Sequence, residues 1–207
     1  MDILYQDEAL CVCIKPVGLD SQIGVPEALK VQLGGEFYPV HRLDENVGGV
    51  MVYARTSKAA AMLSREIQAG TFVKEYLAQV HGTPPEQAVW EDLLFKDSRK
   101  NKVFVVRRER TGVRKAKLEF TRLTAGETSL VAIRLYTGRS HQIRVQFASR
   151  GFPLVGDHKY GSRDARTAPM LFSYRITFPW KGGNRTFTAL PDWAEGPFSE
   201  ENTSRSR

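Results

Sequence analysis

Two separated segments combine charged and polar residues whose types and spacing could do acid chemistry. Val40–Asp44 holds one acid among a histidine, an arginine and apolar neighbours, and Thr137–Phe147 places two arginines and a glutamine around a turn that opens a short amphipathic segment. An ionised carboxylate can act as a nucleophile or as a general base, and a nearby guanidinium favours its charged form. The two segments therefore predict one acid, Asp44, and a distant counter-charge.

Spacing discourages the other chemistries that these residue types suggest. Ser140 and His141 are sequence neighbours, so their side chains diverge and do not form the nucleophile and base of a hydrolase. The four histidines, at 41, 81, 141 and 158, form no short metal-ligand pair, and we expect no metal. The glycines of Gly151–Gly161 match neither a dinucleotide nor a phosphate-loop spacing. We expect His41 and His141 to act as hydrogen-bonding scaffold.

Short strand-like runs alternate with turns, and a few helices interrupt them. Strands are predicted at 10–14, 50–54, 72–80, 102–106, 116–123, 129–135, 171–178 and 186–189, with 102–106 and 116–123 paired to each other. Helices are predicted at Val25–Leu33, from an N-cap at Ser57 to a stop at Gly70, and from an N-cap at Ser140 to a stop at Gly151.

These elements predict an α+β fold with a mixed, mostly antiparallel central sheet flanked by helices. No internal repeat or linker divides the chain. We therefore expect a single domain over residues 1–195, followed by a flexible polar tail over residues 196–207.

Composition restricts the class of protein and its partners. At 207 residues, 42% hydrophobic and 26% charged, the chain has the composition of a soluble globular protein. The net charge of +7 favours a polyanionic partner, with nucleic acid first. Cys11 and Cys13 share one face of a strand, bridge poorly, and predict buried thiols in a reducing compartment. Since no basic leader or membrane-length apolar run is present, we expect a cytoplasmic protein without membrane contact.

Residues 99–117, called the basic segment below, concentrate positive charge. They contain nine basic residues and one acid, Glu109: Arg99, Lys100, Lys102, Arg107, Arg108, Arg110, Arg114, Lys115 and Lys117. An exposed hairpin of this composition could follow RNA phosphates, and a solvated strand face is the alternative interpretation.

Four sequence blocks follow one another along the chain. They are His41-Arg-Leu-Asp44 with Glu-Asn-Val-Gly-Gly49, Lys74-Glu-Tyr-Leu-Ala-Gln-Val-His-Gly82, Thr137-Gly-Arg-Ser-His-Gln-Ile-Arg144, and Gly151-Phe-Pro-Leu-Val-Gly-Asp-His-Lys-Tyr-Gly161. In this order they resemble the signature blocks of the RluA-type pseudouridine synthases. The resemblance implies the pseudouridine synthase fold and the isomerisation of uridine within tRNA or rRNA. In that reaction the bond from the sugar to nitrogen is broken and remade to carbon, with no cofactor and no metal.

The resemblance also implies roles for individual residues. Asp44 matches the catalytic aspartate, which acts as a nucleophile on the anomeric carbon or as a base on the neighbouring sugar proton; both remain open. Arg144 matches its arginine partner, and Tyr76 the tyrosine that packs against the target base. Arg42 matches an arginine near the stack that an extruded base vacates. Weaker candidates for RNA contact are Lys74, Arg139 and Gln142.

The chain departs from the family's common pattern at Val47-Gly48, where Thr-Ser often stands, and at Gln146, where a histidine is common. These departures leave the acid unchanged and put substrate choice and loop packing in question. Two other classes of function remain open. One is a catalytically silent RNA-binding module or RNA chaperone of the same fold, and the other is a small-molecule hydrolase, for which no nucleophile is assembled. The sequence leaves the target uridine and the oligomeric state undetermined.

Overall fold

The computed structural model describes residues 1–194, which contain eleven strands, three α-helices and two short 3-10 helices. The strands are β1 (Asp2–Gln6), β2 (Leu10–Lys15), β3 (Tyr38–Pro39), β4 (Gly48–Ala54), β5 (Val73–His81), β6 (Gln87–Asp97), β7 (Lys102–Val106), β8 (Val113–Arg122), β9 (Thr128–Leu135), β10 (Leu171–Trp180) and β11 (Gly183–Thr188). The helices are α1 (Gly24–Leu33), α2 (Ser57–Ala69) and α3 (Gln142–Ala148). The predicted tail, 196–207, lies outside the described residues.

All of these strands belong to one sheet. Its order is β1-β2-β4-β10-β5-β9-β8-β6-β7, with β3 beside β4 and β11 beside β10. Among residues 1–194 only β4 and β10 pair in parallel, through Gly48 and Gly49 against Phe172 and Ser173. Every other described pair is antiparallel. The predicted α+β class with a mixed, mostly antiparallel sheet is confirmed.

Strand β4 lies between two layers of side chains, which is why every one of its residues is buried. Alternating residues face opposite sides of the sheet. Cys11, Cys13, Met51 and Tyr53 pack with Val25 and Leu29 of α1, whereas Leu10, Val12, Val50 and Val52 pack with Ala59 and Leu63 of α2. The two cysteines are buried and free as predicted, and burial raises the pKa of the Cys11 thiol to about 11 and that of Cys13 to about 12.

The predicted pairing of 102–106 with 116–123 is wrong. Strand β7 pairs with β6 instead, and β6 lies between β7 and β8. The turn between β6 and β7 explains this pairing, because the Asp97 carboxylate accepts hydrogen bonds from the amides of Arg99 and Lys100, and Asn101 adopts a left-handed conformation. Strands β1, β3 and β6 were not predicted from the sequence.

Two predicted helix caps are displaced by one residue. Thr56, not Ser57, caps α2, since its hydroxyl accepts a hydrogen bond from the amide of Ala59. At α3 the N-cap is His141, not Ser140, and no side chain caps the helix. His141 is left-handed at φ 50, a conformation that costs a non-glycine residue free energy and is concentrated at functional sites.

None of the helices within residues 1–194 has the length and apolar character needed to cross a bilayer.

Candidate active site

A cavity of about 500 Å³ opens where the loop before β4, the strand β5 and the N-terminal end of α3 meet. We call it the main cavity. Its wall includes every site residue named from the sequence: Arg42, Asp44, Lys74, Tyr76, Arg139, Gln142 and Arg144. Residues separated by a hundred positions thus share one space, as the two opening segments predicted.

The loop that carries Asp44 is fastened to β2 by a buried lysine. The Lys15 ammonium is fully buried and donates to the carbonyls of Pro16, Glu45 and Val47 at 2.8, 3.0 and 2.8 Å. A turn closed by the Val47 amide and the Asp44 carbonyl completes the loop. Burial lowers the pKa of Lys15 to about 8. The Lys15 ammonium therefore holds the backbone of the loop that carries Asp44.

Arg144 joins two carboxylates. Its Nη1 donates to Oδ2 of Asp44 at 2.9 Å, while its Nε and Nη2 donate to the two oxygens of Asp157 at 2.7 and 2.8 Å. Burial by itself lowers the pKa of the guanidinium, but the bonds to Asp157 and Asp44 raise it above its ordinary value. Within the described residues, Oδ1 of Asp44 accepts no hydrogen bond. One oxygen of this acid is thus oriented and the other is free for a ligand.

Asp157 is a site residue that sequence reasoning missed. Its side chain is 1% exposed, against 7% for Arg144 and 17% for Asp44. A signal for it is present in the sequence, because Asp157 lies inside the fourth resembling block. Its bidentate contact sets the plane of the guanidinium and so directs Nη1 toward Asp44.

Tyr76 lies on β5 in the wall of the main cavity and is 5% exposed. Burial and the negative charge of Asp44 raise the pKa of its hydroxyl above the ordinary value, so the group is protonated at neutral pH. Leu135, Ile143 and Leu171 line the same cavity. The surface beside the acid is therefore apolar and aromatic.

Lys74 and Arg139 bring positive charge to the main cavity. Burial, together with the charge of Arg139, lowers the pKa of Lys74. Within residues 1–194 the Lys74 ammonium has no hydrogen bond or ion pair. Arg139 is exposed and donates from Nε to the carbonyl of Lys115 at 2.9 Å. An ammonium without a counter-ion in a cavity is suited to a ligand that carries negative charge.

Gln142 and Arg42 differ in how free their side chains are. The Gln142 carbonyl oxygen accepts hydrogen bonds from the Thr137 hydroxyl and the Arg139 amide, and its nitrogen donates to Lys117. This side chain therefore organises the turn before α3. Arg42 is exposed and also lines a second, polar cavity of about 300 Å³ that shares Asp44 with the main cavity.

His41 and His141 both form hydrogen bonds, which agrees with their predicted scaffold role. Nε2 of His41 accepts from the Val52 amide at 3.1 Å, and burial lowers the pKa of the ring to about 3. His141 lies 2.8 Å from the Tyr160 hydroxyl through Nδ1 and 3.8 Å from Oδ2 of Asp44 through Nε2. No group of three or more potential ligands is placed to hold a metal ion in the described part of the chain.

The basic segment forms the turn from β6 to β7, all of β7, the connection to β8 and the first half of β8. It is not one uniform stripe. Lys115 and Lys117 pair with Glu109 and Glu91, and the Arg110 guanidinium packs 4.5 Å from the ring centroid of Phe95. Five other members are exposed and have no ion pair within residues 1–194: Arg99, Lys100, Arg107, Arg108 and Arg114.

Comparison with known proteins assigns the family. A sequence profile described as RNA pseudouridylate synthase matches residues 10–149. The chain is 35% identical over 204 residues to the dual-specificity RNA pseudouridine synthase RluA of Escherichia coli K12, covering 92% of this chain and 93% of that protein.

The chain belongs to the RluA-type pseudouridine synthases.

Solved structures agree with this assignment at the level of the fold. The human RNA pseudouridylate synthase domain containing 1 superimposes with a TM-score of 0.82 at 21% identity, over 94% of this chain and 84% of that one. The human RNA pseudouridylate synthase domain containing 4 gives a TM-score of 0.79 at 25% identity, over 93% and 89%. As a member of the pseudouridine synthase family, the protein is an isomerase that converts uridine in RNA to pseudouridine.

Proposed function

We propose that Asp44 is the catalytic carboxylate and that the substrates are uridines in tRNA or rRNA. The observation that carries this proposal is the asymmetric environment of the acid. Oδ2 is held by Arg144 at 2.9 Å, and Oδ1 has no partner among residues 1–194. A carboxylate that must reach the sugar, as a nucleophile or as a base, needs one oriented oxygen and one free oxygen.

The remaining wall of the main cavity suits an extruded uridine. A base that leaves the RNA stack needs an aromatic or apolar surface to replace its lost contacts, and Tyr76 with Leu171 supplies one beside the acid. With the uracil against Tyr76, its ribose lies toward Asp44. Arg42, at the boundary of the two cavities, is suited to the space that the base vacates.

The positively charged side chains are proposed to contact the RNA backbone around the target nucleotide. In this proposal Lys74 and Arg139, which line the main cavity, contact the phosphates next to the target nucleotide, and Gln142 supports the turn that carries Arg139. The exposed arginines of the basic segment extend the contact along the RNA backbone. We further propose a single catalytic domain over residues 1–195 and a cytoplasmic location, which the two free, buried cysteines favour.

The catalytic role of Asp44 can be tested by substitution. Tritium release from RNA labelled at uracil carbon 5 reports turnover, since that hydrogen is lost when the new bond to the sugar forms. Asp44→Asn keeps the size of the side chain but removes its charge, and we expect no release above background while RNA binding is retained. Glu45→Gln is the matched control, because it removes one negative charge from the same loop, and it should keep the parent rate.

Two outcomes would contradict the proposal. Release by Asp44→Asn at the parent rate would remove Asp44 from the mechanism. Binding without release by the parent protein, on total tRNA and rRNA from cells that lack its gene, would favour the catalytically silent RNA-binding module. Pseudouridine maps from cells with and without the gene then identify the target position.

A further inference from the structure

Tyr160 lies at the end of the short 3-10 helix His158–Tyr160 and contacts the site from outside the main cavity. Its Oη accepts a hydrogen bond from the Val103 amide at 2.9 Å and lies 2.8 Å from Nδ1 of His141. The Arg144 guanidinium lies 5.2 Å from the centre of its ring. The mechanism outlined above uses none of the contacts that Tyr160 makes.

The phenol hydroxyl has one proton to donate, and its surroundings decide where that proton points. The Val103 amide uses Oη as an acceptor, and Tyr160 is 8% exposed, so its proton needs a protein acceptor. Within residues 1–194, Nδ1 of His141 is the one acceptor within hydrogen-bond distance. If Nδ1 carried the imidazole proton instead, the buried Tyr160 proton would have no acceptor.

The opposite side of the imidazole favours the same arrangement. Nε2 of His141 faces the carboxylate oxygen Oδ2 of Asp44 at 3.8 Å. An Nε2–H group is attracted to that oxygen, whereas an Nε2 lone pair would be repelled by it. Hydrogen bonds at catalytic groups are commonly long without substrate and shorten in the reacting complex.

We propose that Tyr160 is a positioning residue that fixes His141 as the Nε2–H tautomer, so that His141 and Arg144 both donate to Oδ2 of Asp44 and leave Oδ1 to the substrate. This inference rests on the proposed role of Asp44. It adds His141 as a second donor to the acid. His141 also has a left-handed backbone, a strained conformation of the kind that is concentrated at functional sites.

The charge state of the ring makes the position of one proton important. Burial lowers the pKa of His141 to about 4, against the effect of Asp44, which raises it. The ring is therefore neutral at pH 7 and has a single N–H, whose location is set by the partner of the other nitrogen.

The test reads the tautomer directly. With only four histidines in the chain, two-dimensional NMR of the ¹⁵N-labelled imidazoles resolves each ring, and the His141→Gln variant identifies the signal of His141. We expect the wild-type ring to be protonated at Nε2. In Tyr160→Phe, which retains the aromatic ring, the Nδ1–H form of His141 should become populated while the other three rings are unchanged. A wild-type ring protonated at Nδ1, or no change in Tyr160→Phe, would overturn the inference.

Kinetics separate positioning from simple structural support. Tyr160→Phe should lower kcat about tenfold, since one oriented hydrogen bond at a charged group is worth about 1.4 kcal/mol, and should leave KM within about twofold. Tyr5→Phe is the matched control, because it removes a hydroxyl that bonds to Asp7 at a distant edge of the sheet; it should change neither constant. An increase in KM at constant kcat would contradict the inference.

The proposed function fails in a different way from this inference. An active Asp44→Asn variant would refute the role of Asp44 whatever the tautomer is. Full activity of Tyr160→Phe together with an inactive Asp44→Asn would refute only the role of Tyr160.

Discussion

A single guanidinium determines the geometry of the candidate acid. Arg144 uses its planar fork on Asp157 and its remaining nitrogen on Asp44, so that two acids and one base share a nearly dry space. Removing one partner from such a buried group is costly, because the remaining charge stays out of water and no longer has the partner that offset this cost. Arginine and lysine are not equivalent here, since an ammonium cannot hold two carboxylates in fixed directions.

Arg144→Lys should therefore lower kcat at least about tenfold and lower the free energy of unfolding by about 2 kcal/mol, the usual size of a lost hydrogen bond to a charged group. Tritium release and urea unfolding measure the two effects. The control is Arg175→Lys, which alters a bidentate pair with Glu75 whose side chains are 39% and 22% exposed. That change should cost less than about 1 kcal/mol. Equal losses in the two variants would mean that burial of the Arg144 pair adds nothing.

At the scale of elements, the site depends on how the loop before β4 is attached to the sheet. Lys15, at the end of β2, bonds the loop carbonyls, and Gly49 lies against β10 so closely that a Cβ there would be 2.5 Å from the backbone N and O of Ser173. Its φ of +132 also favours glycine. Two neighbouring strands therefore determine the position of Asp44.

The buried ammonium predicts a dependence of stability on pH. The pKa of Lys15 falls from 10.5 to about 8 on folding. Between these values the unfolded chain holds a proton that the folded chain has released, so this group makes the free energy of unfolding rise with pH in that window. In Lys15→Met this contribution is absent. The free energy of unfolding of the wild type minus that of the variant should therefore increase from about pH 8 to about pH 10.

Urea unfolding of both proteins across this range measures the effect. Lys58→Met, an exposed position on α2, serves as the control and should show no such increase. If the free energy of unfolding of the wild type minus that of Lys15→Met stays constant or decreases over this range, the ammonium is not disfavoured in the folded protein.

At the scale of the whole molecule, positive charge is distributed unevenly along the sheet. The basic segment lies at the edge formed by β7, while the hairpin of β10 and β11 carries only a few cations. Such asymmetry matters for RNA because each phosphate contact releases a bound counter-ion, which gives binding a dependence on salt.

Reversing Arg107 and Arg108 to Glu should weaken RNA binding and make its dependence on salt shallower by about one to two units on a log–log plot, as expected for about two lost phosphate contacts. Arg110 is left unchanged because it packs on Phe95. Reversal of Lys181 and Arg185, exposed in the hairpin of β10 and β11, is the matched control. Titrations at several salt concentrations measure both variants. A salt dependence of the Arg107 and Arg108 variant equal to that of the parent protein would reject a role of the basic segment in RNA contact.

The family, the fold class and most of the candidate site residues could be predicted from the sequence alone. The four resembling blocks indicated the family and the residues that share the main cavity, because the chemistry requires specific side chains at fixed positions of short motifs. The order of strand-like and helical runs indicated the α+β class. The cysteines of β2 were also predicted correctly to be buried, since both project from the same face of a strand.

The tertiary structure decided the other contacts between distant segments. The pairing of β7 with β6, the bidentate bond from Arg144 to Asp157, and the contact of Tyr160 with both Val103 and His141 leave no periodic trace in the sequence. Their energies come from packing and from the satisfaction of buried polar groups, which exist only once the chain has folded. The sequence thus determined which acid and which arginine meet, and the fold determined which oxygen of Asp44 is held and which is free.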